Sequence, residues 1–251
     1  MRMTAKIGVA ALSLAAAYAP AIAGQKASPE LNAAASKCFG KIHTNWTDLI
    51  EACDVIVKSN VSPSTKAGAF YNRGSAYMRL GGGVNALADF TEALKLKPDF
   101  ARALQARGGI YVGQGKFDLA LADLTKAIGI DPKSSAAFNN RAMAYMGKKE
   151  TAKAIADFTK AIELDPSDAT SYATRGTAYL TSGDKTKALA DLNKAIQIDP
   201  KQLVALYNRG ELYLVNGDKT RAQSDFAAVL AIAPEHKEAK ARLDALAKAG
   251  G

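Results

Sequence analysis

The sequence predicts an all-α protein built as an α-solenoid, in which helix hairpins stack on one another. Apolar residues recur at helical spacing, and glycines at 81, 115, 183 and 217 break the pattern into pairs of helices. A single hairpin cannot bury its apolar side, whereas stacked neighbours can. The third observation is a fixed period of 34 residues, set by five prolines: Pro98, Pro132, Pro166, Pro200 and Pro234.

The period divides residues 67–236 into five repeats whose columns agree. The eleventh position is always tyrosine, from Tyr77 to Tyr213, and the turn glycine is replaced once, by Lys149. The eighth position is small in every repeat: Gly74, Gly108, Ala142, Gly176 and Gly210. The repeats themselves occupy 67–100, 101–134, 135–168, 169–202 and 203–236.

These columns resemble the tetratricopeptide repeat (TPR), and the match extends over all five repeats. The resemblance implies a right-handed α-solenoid of tetratricopeptide-type hairpins. It also implies that the first helix of each repeat lines a concave groove, where partners usually bind. The second helices would then face the outer, convex side.

The segments on either side of the repeats are predicted to be caps. Residues 237–251 read as an amphipathic helix over 237–248 with a short tail. Residues 24–66 read as an N-terminal capping hairpin with helices over 29–38 and 48–58. A short linker is expected from Val61 to Lys66. The hairpin resembles the N-terminal cap of exported bacterial repeat proteins, which has a cysteine in each helix.

Residues 1–23 have the three-part pattern of a secretory signal peptide. Arg2 and Lys6 precede an apolar run of 13 residues, and small residues end at Ala23. The run is too short for the alternative, a permanent membrane anchor. We expect cleavage after Ala23, a periplasmic or secreted location, and no transmembrane span in the mature chain.

Export also predicts a disulfide between Cys38 and Cys53. These are the two cysteines of the chain, and an oxidising compartment favours their pairing. The alternative is two free thiols that act as small core residues.

A second pairing is expected between an arginine and an aspartate column. A guanidinium near the seam between helices needs a carboxylate, which it can bind with two hydrogen bonds. The sequence leaves open whether each partner lies in the same or the adjacent repeat, and the alternative is ten unrelated solvated charges. The columns are Arg73, Arg107, Arg141, Arg175 and Arg209, and Asp89, Asp123, Asp157, Asp191 and Asp225.

The resemblance places the groove at positions 2, 5, 6, 9, 12 and 13 of each first helix. Those positions are nearly neutral, with Arg79, Arg102 and Glu211 as their charges. Amides can bond to a peptide backbone and methionines adapt to varied side chains, so a protein or peptide partner is expected. The predicted groove residues are Tyr71, Asn72, Arg102, Gln105, Asn139, Asn140, Met143, Met146, Thr174, Tyr207 and Asn208. The alternative is a default repeat surface with no ligand.

No residue pattern points to catalysis, a metal site or a cofactor. The two histidines, His43 and His236, have no ligand-type neighbours at metal-binding spacing and are expected on the surface. The net charge of +9 lies on solvated faces without interleaved aromatics, which argues against nucleic acid. Weak attraction to anionic surfaces stays open. We expect a non-enzymatic scaffold or adaptor. The alternatives are a structural component of an envelope assembly that uses its convex face, and a hydrolase with an unrecognised site.

Overall fold

The computed structural model describes residues 28–40 and 45–248. These residues form thirteen α-helices and no strand, so the predicted all-α solenoid class is confirmed. The predicted signal peptide, His43 and the last three residues lie outside the described residues. Of the helices that are described, none is both long and apolar enough to cross a membrane.

The chain divides into two compact units, residues up to 132 and residues from 133 onward. In the first unit, consecutive helices pack on each other, and they form the capping hairpin followed by two repeat hairpins. Its helices are α1 (Pro29–Phe39), α2 (Trp46–Lys58), α3 (Pro63–Arg79), α4 (Gly83–Leu96), α5 (Ala101–Gly113) and α6 (Phe117–Ile130).

The second unit contains three repeat hairpins and the predicted C-terminal helix. Consecutive helices again pack together, and the first helix α9 also contacts the next first helix, α11. The helices are α7 (Ser135–Gly147), α8 (Thr151–Leu164), α9 (Ala169–Ser182), α10 (Lys185–Ile198), α11 (Leu203–Val215), α12 (Lys219–Ile232) and α13 (Lys237–Lys248).

The turn inside each repeat depends on one residue with left-handed backbone geometry. Gly81 and Gly183 have φ of 79° and 85°, values that glycine adopts without a steric penalty. Lys149 occupies the same place in the third repeat with φ of 62°, which is unfavourable for a residue with a Cβ atom.

The small eighth position lets the two helices of a repeat approach closely. A Cβ atom on Gly108 would lie 2.7 Å from Cγ of Leu124, and one on Gly176 would lie 3.0 Å from Cγ of Leu192. Both leucines are fully buried. The glycine at position 8 and the leucine at position 24 therefore form one packing contact within each of these two repeats.

The predicted cap helices are present, although α1 ends one residue later than expected, at Phe39, and α2 begins two residues earlier, at Trp46. Ser28 caps α1 by accepting the backbone N–H of Leu31, and α13 spans the predicted residues. The expected linker from Val61 to Lys66 is wrong, because α3 already begins at Pro63. Ser62 caps this helix by accepting the N–H of Thr65, and proline is well suited to a first helical turn.

Candidate functional site

The predicted pairing of arginines and aspartates is confirmed in all five repeats, and each pair lies within one repeat. In the fourth repeat, Nε and Nη2 of Arg175 donate to the two carboxylate oxygens of Asp191 at 2.7 and 2.9 Å. We call the set of five pairs the arginine–aspartate seam. The other four pairs have the same two bonds: Arg73–Asp89, Arg107–Asp123, Arg141–Asp157 and Arg209–Asp225.

Burial makes these pairs structurally important. All five aspartates are buried, and the hydrogen bonds to them raise the pKa of each arginine. A buried carboxylate is costly unless it is paired and hydrogen-bonded. The seam therefore fixes the first helix of each repeat against its second helix.

The seam also joins successive repeats inside each unit. In the second unit, Nη1 of Arg175 donates to Thr159 at 3.1 Å, and Nη1 of Arg209 donates to Asn193 at 2.7 Å. Both acceptors lie on the second helix of the preceding repeat. Arg175 and Arg209 thus each have one carboxylate partner in their own repeat and one neutral partner in the repeat before it.

The predicted disulfide is present in the N-terminal cap. Cys38 and Cys53 are bonded, with Cα atoms 4.9 Å apart, and both are fully buried. The first repeat holds this cap through two adjacent residues. Asn72 donates to the carbonyl of Cys38 at 2.9 Å, and Arg73 donates to Asp54, the residue after Cys53, at 2.8 Å.

The first-helix surface comprises the predicted groove positions of α3 and α5 in the first unit, and of α7, α9 and α11 in the second. In the first unit, Tyr71 and Gln105 are half-buried. Burial raises the pKa of the Tyr71 hydroxyl, while the nearby Arg102 cation partly offsets this. The Arg102 guanidinium lies 5.7 Å from the centre of the Tyr71 ring. Asn72 also belongs to this surface but already uses one amide hydrogen on the cap.

The first-helix surface of the second unit is less open than the sequence suggests. Asn208 donates to Oγ1 of Thr177 at 2.7 Å, and Thr174 donates to the backbone carbonyl of Thr170 at 2.8 Å. Met143 and Met146 are half-buried. Asn140 is also half-buried, and its amide has no hydrogen-bond partner among the described residues.

Asn139 is not a surface residue, which corrects its predicted place in the groove. Its amide is buried and donates to Oγ of Ser171 at 2.6 Å, and Ser171 in turn donates to Asp168 at 2.6 Å. Asp168 also caps α9 by accepting the N–H of Thr170. The fifth-position amide in this repeat therefore connects α7 to the start of α9, and it is not available to a ligand.

The predicted C-terminal cap is present, and it also binds the groove position Glu211 of the fifth repeat, which the sequence did not reveal. Arg242 donates two hydrogen bonds to Glu211, at 2.6 and 2.8 Å, so the charge of Glu211 is balanced. His236 is stacked on Tyr207 with ring centres 5.2 Å apart, and its side chain is only 7% exposed. The expectation of a surface histidine is thus wrong for His236. Continuing the repeat count past 236 would have placed Arg242 at a sixth, groove-type position.

The basic residues of the second helices lie mainly in local ion pairs. Lys153, Lys160 and Lys187 are all exposed, and each is paired with an acidic residue three positions away on the same helix or its cap. Exposed pairs of this type contribute about 0–1 kcal/mol. No group of acidic, histidine or cysteine side chains in the described part of the chain is arranged to hold a metal ion.

Helix hairpins that stack on one another, each with the same arginine–aspartate pair between its two helices, define an all-α repeat protein. TPR family models match residues 71–135, 135–168 and 203–236, and two further TPR models match 158–190 and 176–217. Together these matches leave no gap between residues 71 and 236. The chain therefore belongs to the tetratricopeptide repeat family.

Several solved structures are similar to this chain. MamA is 27% identical, with 66% of this chain and 96% of that chain covered and a TM-score of 0.55. A TPR protein from Parabacteroides merdae ATCC 43184 is 22% identical over 93% and 89% of the two chains, with a TM-score of 0.63. YrrB, a TPR protein with an unusual peptide-binding site, is 22% identical over 76% and 96%, with a TM-score of 0.57. No curated protein matches the chain.

Proposed function

We propose that this protein is a non-enzymatic, exported scaffold that binds a protein or peptide partner on its first-helix surface. Family membership supports an interaction role, because TPR proteins generally act as protein-interaction scaffolds. The fold of YrrB, which carries a peptide-binding site, is compatible with this role. The signal-peptide pattern of residues 1–23 is the basis for a periplasmic or secreted location.

One observation supports the location of the site most directly. On α7, Asn140 has an amide that no described residue bonds, and Met143 and Met146 lie half-buried on the same helix. The three-residue spacings place Met143 next to Asn140 on the helix surface, and Met146 next to Met143. A free amide can bond a peptide backbone, and thioether side chains adapt to different apolar partners.

The test is a comparison of three forms of the mature protein. The wild type, the double variant Asn140→Ala/Met143→Ala and the convex-side variant Lys160→Glu are each used to capture partners from an envelope extract. A captured partner is then titrated against all three, and circular dichroism checks that helicity is unchanged. Loss of two interface contacts of this kind corresponds to roughly tenfold weaker binding.

We expect the double variant to bind about tenfold more weakly and Lys160→Glu to bind like the wild type. Lys160 is a suitable control because it is exposed and pairs with Glu163 on the same second helix. The opposite pattern would reject the first-helix surface. It would support an envelope component that uses its convex face instead.

A further inference from the structure

The turn between the first two repeats differs in charge from the later turns. Position 31 of the repeat is Lys97 here, whereas it is aspartate at residues 131, 165 and 199. Position 2 of the next repeat is Arg102 here, whereas Ala136, Thr170 and Val204 are uncharged. Both changes introduce a cation at the same turn of the first unit.

The two cations lie against the same aromatic ring. Nζ of Lys97 is 5.3 Å from the centre of the Phe100 ring, and Cζ of Arg102 is 6.0 Å from it. Tyr71 packs beside Phe100, with ring centres 5.0 Å apart. Neither cation forms an ion pair within the described chain. Contact with a ring face restrains a guanidinium and leaves its N–H groups at the edge available.

In the second unit, carboxylates occupy the corresponding turn. Asp165 accepts the backbone N–H of Ser167 at 3.1 Å, and Asp168 accepts the N–H of Thr170 at 3.0 Å. In the first unit the residue at the start of α5 is Phe100, which provides no side-chain acceptor. This turn therefore has Lys97 and Phe100 where its counterpart has Asp165 and Asp168, and the carboxylate that it does have, Asp99, is exposed.

We propose that Lys97, Phe100, Arg102 and Tyr71 form a docking site for a carboxylate side chain in an acidic segment of a partner protein. The partner's carboxylate would supply the negative charge that Asp165 and Asp168 supply in the second unit. A guanidinium binds a planar carboxylate with two parallel hydrogen bonds. The inference rests on the proposed function, since Arg102 and Tyr71 belong to the first-helix surface, and it specifies the chemistry of the partner.

The surroundings favour a protein segment over a membrane surface. Arg102 is half-buried beside Tyr71, so a flat array of lipid headgroups would reach it less easily than a side chain would. The exposed carboxylate of Asp99 lies between the two cations in sequence. It disfavours a dense polyanion more than it disfavours a single carboxylate.

The test uses the full mature chain and a capped peptide of alternating glutamate and alanine. A matched peptide has glutamine in place of glutamate. Binding is followed by calorimetry and by NMR of the Arg102 side-chain Nε–H and the first amides of α5. The variants are Arg102→Gln and Lys97→Gln. Lys116→Gln is the control, because it removes the charge of an exposed lysine elsewhere in the same unit.

We expect saturable binding of the glutamate peptide that weakens in high salt, because added ions screen an exposed ion pair. Arg102→Gln should lower the affinity about tenfold and Lys97→Gln about threefold, while Lys116→Gln stays within about twofold. Equal binding of the glutamine peptide would overturn the proposal, and so would an equal loss with Lys116→Gln. Anionic phosphatidylglycerol vesicles that shift the same signals, without any effect of the peptide, would also overturn it.

The two proposals fail in different ways. If Asn140→Ala/Met143→Ala releases the captured partner and Arg102→Gln does not, the proposed function stands and the acidic docking site is rejected. If Arg102→Gln weakens the glutamate peptide while the double variant keeps its partner, the docking site stands. In that case the α7 surface is rejected as the main site.

Discussion

The arginine–aspartate seam and the first-helix surface use polar side chains in contrasting ways. In the seam, the same two hydrogen bonds recur in every repeat, from Arg73–Asp89 to Arg209–Asp225. On the first-helix surface, the asparagine at the sixth position of a repeat differs in its hydrogen-bond partner from one repeat to another. Asn72 bonds the cap, Asn208 bonds Thr177, and Asn140 bonds no described residue. A contact that every repeat retains serves the fold, whereas a position that varies is free to serve recognition.

Breaking the seam should have the largest effect on stability. We expect Asp191→Ala to lower the free energy of unfolding by about 3–5 kcal/mol, because the half-buried Arg175 would lose its carboxylate. The measurement is urea unfolding followed by circular dichroism. The control is Arg175→Met/Asp191→Leu, which removes both charges and should cost less than Asp191→Ala alone. If the single variant is as stable as the wild type, the seam is not a structural element.

Removing the disulfide measures how much the N-terminal cap, which Arg73 contacts, contributes to the free energy of unfolding. We expect Cys38→Ser/Cys53→Ser to lower stability by about 3 kcal/mol, because the bond closes a loop with a sequence separation of 15 residues. Urea unfolding monitored by the fluorescence of Trp46, which lies in the cap, reports this change. Unfolding of wild type in the presence of reductant is the parallel measurement. A variant that unfolds at the same urea concentration as the wild type would contradict the prediction.

Two adjacent asparagines on α7 allow a structural contact and a candidate binding residue to be compared within one helix. Asn139→Ala should cost about 1–2 kcal/mol, because it removes a buried hydrogen bond to Ser171. Asn140→Ala should change the free energy of unfolding by less than about 0.5 kcal/mol, as expected for a substitution that breaks no contact. Thermal and urea unfolding of both variants provide the measurement. Equal losses would mean that Asn140 is a structural residue rather than a candidate binding residue.

The smallest effect is expected at the turn of the third repeat. Lys149→Gly should raise the free energy of unfolding by about 0.5–1 kcal/mol, because Lys149 has a left-handed backbone at φ 62°. The reciprocal variant Gly183→Lys should lower it by a similar amount. Neither change should affect partner binding, since both positions lie in turns. A loss of stability with Lys149→Gly would show that the lysine side chain makes a compensating contact.

Much of this fold could be predicted because its determinants are local. Helical periodicity, the turn glycines and the cap at Ser28 depend on residues within a few positions of one another. The same holds for α13, whose charged and apolar faces are evident from twelve residues. The linker prediction failed at Pro63, where a proline that often ends a helix instead begins one.

The sequence by itself determined the repeat, its helices, the two arginine and aspartate columns and the cysteine pair. Only the tertiary structure decided that each arginine bonds the aspartate of its own repeat, and that Asn139 is buried while Asn140 is not. It also showed Arg242 neutralising Glu211. The physical reason is distance along the chain. A side chain on a helix face finds its acceptor 16 residues away in the seam and 31 or 32 residues away between successive first helices, so the outcome depends on packing that no local pattern encodes.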